Sequence, residues 1–196
     1  MSFRIEEKLY IKPENLLEFK EFLLKKSAKK IFNSRKIRSL YFDNLNLDMY
    51  NDSIEGVVPR KKIRIREYPN GSDKNLYLEI KNSSVEGRFK TRRIINKDKM
   101  SYYKRVGLFD NRYGTCLPNF YVTYIREYSK IGDVRISIDK DLVYKSFRNN
   151  AAFNDPNSIV ELKTSIGKNL DDLIKIFPFQ RIRFSKYCFA VDNLRQ

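Results

Sequence analysis

The chain has no histidine, only two cysteines, and no apolar run approaching the length of a membrane span. Without histidine, the commonest general base and the commonest transition-metal ligand are missing, and Ser-His-Asp and Cys-His catalysis are excluded. Any metal must then be held by carboxylates, which points to Mg2+ or Mn2+ and to phosphate chemistry. Cys116 and Cys188 form neither a CxxC motif nor a zinc spacing. A disulfide stays open, with two idle thiols in a reducing cytosol the expectation. The opening MSFRIEEKLY has no apolar h-region, so no signal peptide is expected.

Positive charge is what the chain has in surplus. Lys and Arg total 40 against 24 acidic residues, a formal net charge of +16. That balance favours an anionic partner, whether nucleic acid, an anionic membrane or a small polyanion, over a merely soluble basic surface. The length of 196 residues suits one domain over 1–196, and 41% hydrophobic content supplies a core. There is no low-complexity segment, internal repeat or linker.

From Phe3 to Ile11 apolar and polar residues alternate, which predicts a strand. Pro13 opens a helix whose apolar positions run from Leu16 to Leu24, with a cationic tail at Lys25, Lys26, Lys29 and Lys30. Further strands are predicted at Arg38–Asp43, Lys61–Tyr68, Asn75–Lys81, Glu86–Ile95, Asn119–Ser129, Asp133–Tyr144 and Ser158–Thr164. Pro69-Asn70-Gly71 and Ile131-Gly132 supply turns. Helices are predicted at Leu45–Ile54, ending at Gly56, at Lys97–Val106 and at Asn169–Phe177, with a polar loop over Lys145–Asn157. A mostly antiparallel α+β domain with helices in the connections follows.

The strands carry unusual charge. Lys62, Arg64 and Arg66 alternate with Ile63 and Ile65; Glu86, Arg88, Lys90 and Arg92 share one side of their strand; Glu161 and Lys163 alternate with Val160 and Leu162. Two geometries fit. Either the charges face water around a common apolar core, or the sheet closes with charges inside and apolar faces covered by helices. Stacked like charges repel, so the second arrangement calls for a bound anion such as polyphosphate. Arg would supply bidentate contacts to phosphate oxygens and Lys compact point charges.

One ordered set of motifs runs through nearly the whole chain. It comprises Arg4-x-Glu6-x-Lys8, Ser39-x-Tyr41-Phe42-Asp43, Tyr50, Lys62-x-Arg64-x-Arg66-x-Tyr68, Glu79-x-Lys81, Lys90, Tyr124-x-Arg126, Arg135-x-Ser137-x-Asp139, Glu161-x-Lys163 and Ser185-Lys186-Tyr187. In that order the motifs resemble the VTC domain, the catalytic module of polyphosphate polymerases, within the triphosphate tunnel metalloenzyme (CYTH-like) superfamily. The related CYTH-type triphosphatases and adenylate cyclases typically open with ExExK; here Arg4 takes the first position. Leu9 and Ser137 are milder departures.

The resemblance implies an eight-stranded antiparallel β-barrel, a tunnel lined by basic residues. By it, Arg64, Arg66, Arg126 and Lys186 act on the transferring phosphoryl group. Lys8, Lys81, Lys90, Lys163, Tyr124 and Ser185 bind phosphates. Glu161 holds Mn2+ or Mg2+, with Glu6 and Glu79 supporting. Lys62, Arg88, Arg92 and Arg135 stay open between surface and interior, and Tyr68 and Tyr187 are expected to pack. The implied substrates are ATP and inorganic polyphosphate. If water attacks instead of a phosphate chain, the same site is a triphosphatase. A non-catalytic binding module for polyphosphate or nucleic acid is the remaining alternative. Nucleic acid is disfavoured, because the aromatics are mostly not interleaved on the charged faces and no RNP or KH signature occurs. A cytoplasmic chain of the free-standing, prokaryote-type form is expected, with a peripheral place on the membrane and a membrane partner protein left open.

Overall fold

A computed structural model describes residues 6–164, 173 and 175–194. The strands are β1 (Glu6–Ile11), β2 (Lys29–Asp43), β3 (Arg60–Glu67), β4 (Leu76–Ser84), β5 (Gly87–Ile95), β6 (Leu108–Asp110), β7 (Gly114–Ile131), β8 (Val134–Ser146), β9 (Ala152–Asp155) and β10 (Ser158–Lys163). The helices are α1 (Leu16–Lys25), after a 3-10 turn at Pro13–Asn15, then α2 (Asp48–Glu55), α3 (Lys97–Val106) and α4 (Lys186–Leu194). Eight strands form one hydrogen-bonded path, β1-β10-β8-β7-β2-β3-β4-β5, with β6 added on β7 and β9 on β8. Neighbouring strands along it run antiparallel wherever their register is defined. The path is not closed by a ladder among the described residues.

The chain divides into two compact units. The first draws on Met1–Arg35, Tyr124–Leu142 and Asn154–Phe184; the second on Lys36–Thr123, Val143–Phe153 and Ser185–Gln196. In the first, Leu9 pairs with Val160, Val160 with Ile138, and Leu162 with Ile136, so alternation puts one apolar face on three strands. Phe19 and Leu23, one helical turn apart on α1, bury that face together with Leu173 and Phe177. In the second unit Leu40, Phe42, Ile63, Ile65 and Leu78 make the apolar face, covered by Met49 of α2 and by Met100 and Tyr103 of α3. In each unit helices cover the apolar side of the sheet, so the charged side chains share the opposite side. The helix-covered apolar faces match the second of the two arrangements open to the charged strands, but its closure does not: the expected eight-stranded barrel is an open path among the described residues.

Several boundaries differ from expectation. The first helix stops at Lys25 because Ser27 takes φ +53°, and its N–H and that of Ala28 bond back to Leu24 and Leu23. This is a Schellman end, and Lys29 and Lys30 therefore open β2 instead of a helical tail. Short β6 and β9 escaped notice because three or four residues show no period; β9 lies in the stretch expected to be a loop. Helix α4 was also missed. Its start is marked by Ser185, whose Oγ accepts from the Cys188 N–H at 3.3 Å, an N-cap. The strand residues Phe3 to Ile5 and most of the expected Asn169–Phe177 helix lie outside the described residues. Both cysteines are free and buried, which rules out the disulfide.

Candidate functional site

Antiparallel register builds the charged face of the second unit. Arg64 lies opposite both Tyr41 and Glu79, Arg66 opposite Ser39, Lys81 opposite both Lys62 and Lys90, and Glu79 opposite Arg92. Like charges directly opposite cost energy unless something neutralises them. The neutralising group is Glu79, only 2% exposed. Its Oε2 accepts from Arg64 Nε at 2.8 Å and lies 3.8 Å from Arg66 Nε; its Oε1 accepts from Lys90 Nζ at 2.6 Å and lies 3.5 Å from Arg92 Nε. Burial alone would raise this carboxyl, but Arg64, Arg66 and Lys90 outweigh it and bring the pKa down to about 2. The cations show the crowding. Burial, with Lys81 and Arg60 nearby, pushes Lys62 below the ordinary lysine range, and burial with Arg64 and Arg66 lowers Lys90 despite its bond to Glu79.

The C-terminal motif joins the same face. Lys62 Nζ donates to Ser185 Oγ at 2.8 Å, and Lys186 begins α4. Tyr187 is buried, stacks on Tyr41 with ring centroids 5.4 Å apart, and donates to Asp43 Oδ2 at 2.6 Å. Tyr41 accepts from Arg64 Nη1 at 2.9 Å. Arg64, Arg66, Lys90 and Arg92 thus converge on Glu79, and Lys62, Lys81 and Lys186 belong to the same face. That excess suits a polyanion.

The charged face of the first unit is better balanced. Arg126 grips Asp139 with Nε–Oδ1 at 2.5 Å and Nη2–Oδ2 at 2.7 Å, and its Nη2 lies 3.6 Å from Glu161. Burial opposes the Arg126 charge, but Tyr124, Asp139 and Glu161 together raise its pKa well above the ordinary value. Tyr124 is buried, with the guanidinium 5.4 Å from its ring centre. Lys163 Nζ bridges Glu6 at 2.7 Å and Glu161 at 3.5 Å. Lys8, opposite Glu161 in register, donates from Nζ to the Phe184 carbonyl at 2.6 Å.

A metal implied by the resemblance needs oxygen ligands here. Glu6 and Glu161 share one ammonium, so their oxygens already converge on a positive charge. Two carboxylates match the way Mg2+ is held when substrate phosphates complete its shell. Among the described residues no group of three or more carboxylate or thiol ligands gathers. The donor set therefore fits a hard divalent cation that shares its shell with a ligand.

The structure thus brings Arg64, Arg66, Lys81, Lys90, Ser185, Lys186 and Glu79 together in one unit, and Lys8, Tyr124, Arg126, Glu161, Lys163 and Glu6 in the other. Glu79 is surrounded by cations and is not in the unit that holds Glu6 and Glu161. Of the four cations left open, Lys62 and Arg92 meet Ser185 and Glu79 of the charged cluster, and Arg92, Arg88 and Arg135 are all exposed. Sequence reasoning gave no role to Tyr41 or Asp43, although their alternate spacing on one strand was a usable signal.

Solved structures with this architecture include a candidate adenylate cyclase of Bacillus halodurans, at 13% identity and TM-score 0.62, covering 98% of this chain and 97% of that one. The PH1819 protein of Pyrococcus horikoshii aligns at 16% identity and TM-score 0.57, covering 97% of this chain and 99% of that one. These likenesses show the fold, a mostly antiparallel α+β sheet with helices in its connections. Within that class the chain belongs to the VTC domain family, whose profile matches residues 3–195. Vacuolar transporter chaperone complex subunit 4 of Schizosaccharomyces pombe is 32% identical over 98 residues, 42% of this chain and 14% of that protein. The match thus spans about one seventh of the relative's length. Among the described residues no helix is long and apolar enough to cross a membrane.

Proposed function

We propose that the chain is a metal-dependent polyphosphate polymerase that transfers the γ-phosphate of ATP to a growing inorganic polyphosphate chain, with residues 1–196 serving as one VTC domain. The observation that carries this reading is the cation excess on one face, where Arg64, Arg66, Lys90 and Arg92 converge on Glu79 and Lys62, Lys81 and Lys186 add three more positive charges. Such a surplus is self-repelling until an anion with several charges binds. Phosphoryl transfer asks for alignment and neutralisation of spreading negative charge, which a cationic face without histidine supplies.

In this reading Arg64, Arg66, Arg126 and Lys186 neutralise the transferring group, and Lys8, Lys81, Lys90 and Lys163 hold phosphates, with Tyr124 and Ser185 adding hydrogen bonds. The ionised terminal oxygen of the phosphate chain attacks the γ-phosphorus. The bond to the β,γ-bridging oxygen breaks, and ADP leaves with that electron pair. The attacking oxygen carries no proton, so no general base is needed. Glu161, with Glu6, would hold Mn2+ or Mg2+, which supplies further charge neutralisation when bound. Glu79 keeps the cations of its face at fixed spacing. A place peripheral to an anionic membrane, beside a membrane partner protein, is supported by α1, where Leu17 (68% exposed) and Leu24 (75% exposed) stand among Lys20, Lys25 and Lys26. Flotation with vesicles of anionic lipid, lost in Leu24→Glu, checks that part.

The decisive experiment incubates purified protein with ATP and Mn2+ and resolves products on a gel stained for polyphosphate. Long chains from the unaltered protein, lost in Glu161→Ala and Lys186→Ala, are expected. Free phosphate without chains would make the chain a triphosphatase; neither product would leave a binding module.

A further inference from the structure

The Ser39-x-Tyr41-x-Asp43 spacing has no part in the chemistry above, yet its three side chains lie on the charged side of β2, while Leu40 and Phe42 enter the core. All three are nearly inaccessible: Ser39 is 1%, Tyr41 6% and Asp43 1% exposed. Each meets a different functional element. Ser39 Oγ accepts from Arg66 Nε at 3.4 Å, and Tyr41 Oη accepts from Arg64 Nη1 at 2.9 Å. Asp43 Oδ2 accepts from the Tyr187 hydroxyl at 2.6 Å, and the Tyr187 ring lies over Tyr41 at an interplanar angle of 19°. Tyr187 directly follows Lys186, so the Asp43 bond anchors the first turn of the helix that carries this lysine.

We infer that this array is a positioning device in which Ser39 sets Arg66, Tyr41 sets Arg64, and Asp43 through Tyr187 sets Lys186, giving the three cations one fixed spacing toward a phosphate chain. The inference rests on the polyphosphate reading above. Long cationic side chains side by side repel and splay, and holding them apart costs rotamer freedom that a ligand would otherwise have to remove on binding. A buried acceptor opposite each arginine removes that freedom beforehand, and the Asp43 bond fixes the helix turn that carries Lys186. Three features favour positioning over packing. The acceptors sit at alternate residues of one strand, with Ser39 and Tyr41 in register with the arginines they meet. Packing alone would be met by phenylalanine at 41 and alanine at 39. Burial would raise the Tyr41 pKa, but Arg64 and Arg66 hold it below the ordinary tyrosine value, as expected of a hydroxyl oxygen faced by both cations. Asp43 is committed from its other side as well, accepting from the N–H groups of Met49 and Tyr50 at 3.0 Å each, so the array is tied to α2 and does not drift.

Calorimetric titration with tripolyphosphate tests this, using Tyr41→Phe, Arg64→Ala and the double variant. Tyr41→Phe keeps the ring and its stacking and removes only the acceptor. The expected result is an affinity about tenfold weaker for Tyr41→Phe, and less than a further twofold loss when it is added to Arg64→Ala. Tyr187→Phe is expected to weaken binding in the unaltered background and not in Lys186→Ala. Circular dichroism and melting midpoints accompany each variant; Tyr41→Phe and Tyr187→Phe serve in place of Asp43 substitutions, which would uncap α2. Unchanged affinity in Tyr41→Phe, or the same loss with and without Arg64, overturns the positioning role and leaves polyphosphate binding standing. Failure of the unaltered chain to bind tripolyphosphate overturns both.

Discussion

At Glu79 burial and charge oppose each other on one carboxyl, and charge wins. Its ordinary value is 4.5, and Arg64, Arg66 and Lys90 bring it to about 2 although burial pushes the other way. A carboxyl with a lower pKa when folded contributes stability that is fully present above the unfolded value and is lost as pH falls through the folded one. Denaturation in urea is therefore expected to show stability falling between about pH 4.5 and pH 2, with that segment flattened in Glu79→Gln. An undiminished acid slope in the variant would show that other carboxylates carry it. At neutral pH, Glu79→Gln leaves Arg64, Arg66 and Lys90 without their counter-charge and is expected to cost about 1–3 kcal/mol. Tripolyphosphate should restore part of that loss, because it supplies the missing negative charge.

At the scale of elements, two turns hold the edges of the scaffold and respond in opposite directions. Gly107 ends α3 at φ +91°, and a Cβ there would meet the Cys116 carbonyl oxygen at 2.8 Å and the Leu117 and Thr115 side chains at 3.0 Å. Gly107→Ala is expected to lower stability by about 1–3 kcal/mol in chemical denaturation, since both the conformation and the space exclude a side chain. Ser27 ends α1 at φ +53° on the surface, where serine adopts a conformation glycine takes at no steric cost. Ser27→Gly is accordingly expected to raise stability, by up to about 1 kcal/mol, visible as a higher melting temperature. A drop would mean that the serine side chain has a role beyond the turn.

At the scale of the whole molecule, a net charge of +16 governs association. Anion binding driven by that charge weakens as salt screens it. The tripolyphosphate affinity is expected to fall at least tenfold between about 50 mM and 500 mM NaCl, with a larger fall for longer chains that engage more cations. The melting temperature should rise with polyphosphate and not with NaCl at matched ionic strength. An affinity indifferent to salt would count against a charge-driven site.

The sequence by itself determined much of this. Alternation in β3, β10 and the first half of β8, and the helical spacing of Phe19 and Leu23, each follow from local geometry, so the antiparallel α+β class and the division into apolar and charged faces were legible. The absence of histidine, the cation surplus and the order of the motifs were legible in the same way, and the VTC domain profile matches residues 3–195. Alternation says which residues share a face, but not which residue lies opposite which. Register and burial are tertiary facts. Only they decided that Glu79 sits between Arg64 and Arg92, that Ser185 caps α4 and meets Lys62, and that Tyr41 and Asp43, 144 residues before Tyr187 in the case of Asp43, form one network with Arg64 and Tyr187. These contacts join residues far apart in sequence, and no local period encodes them.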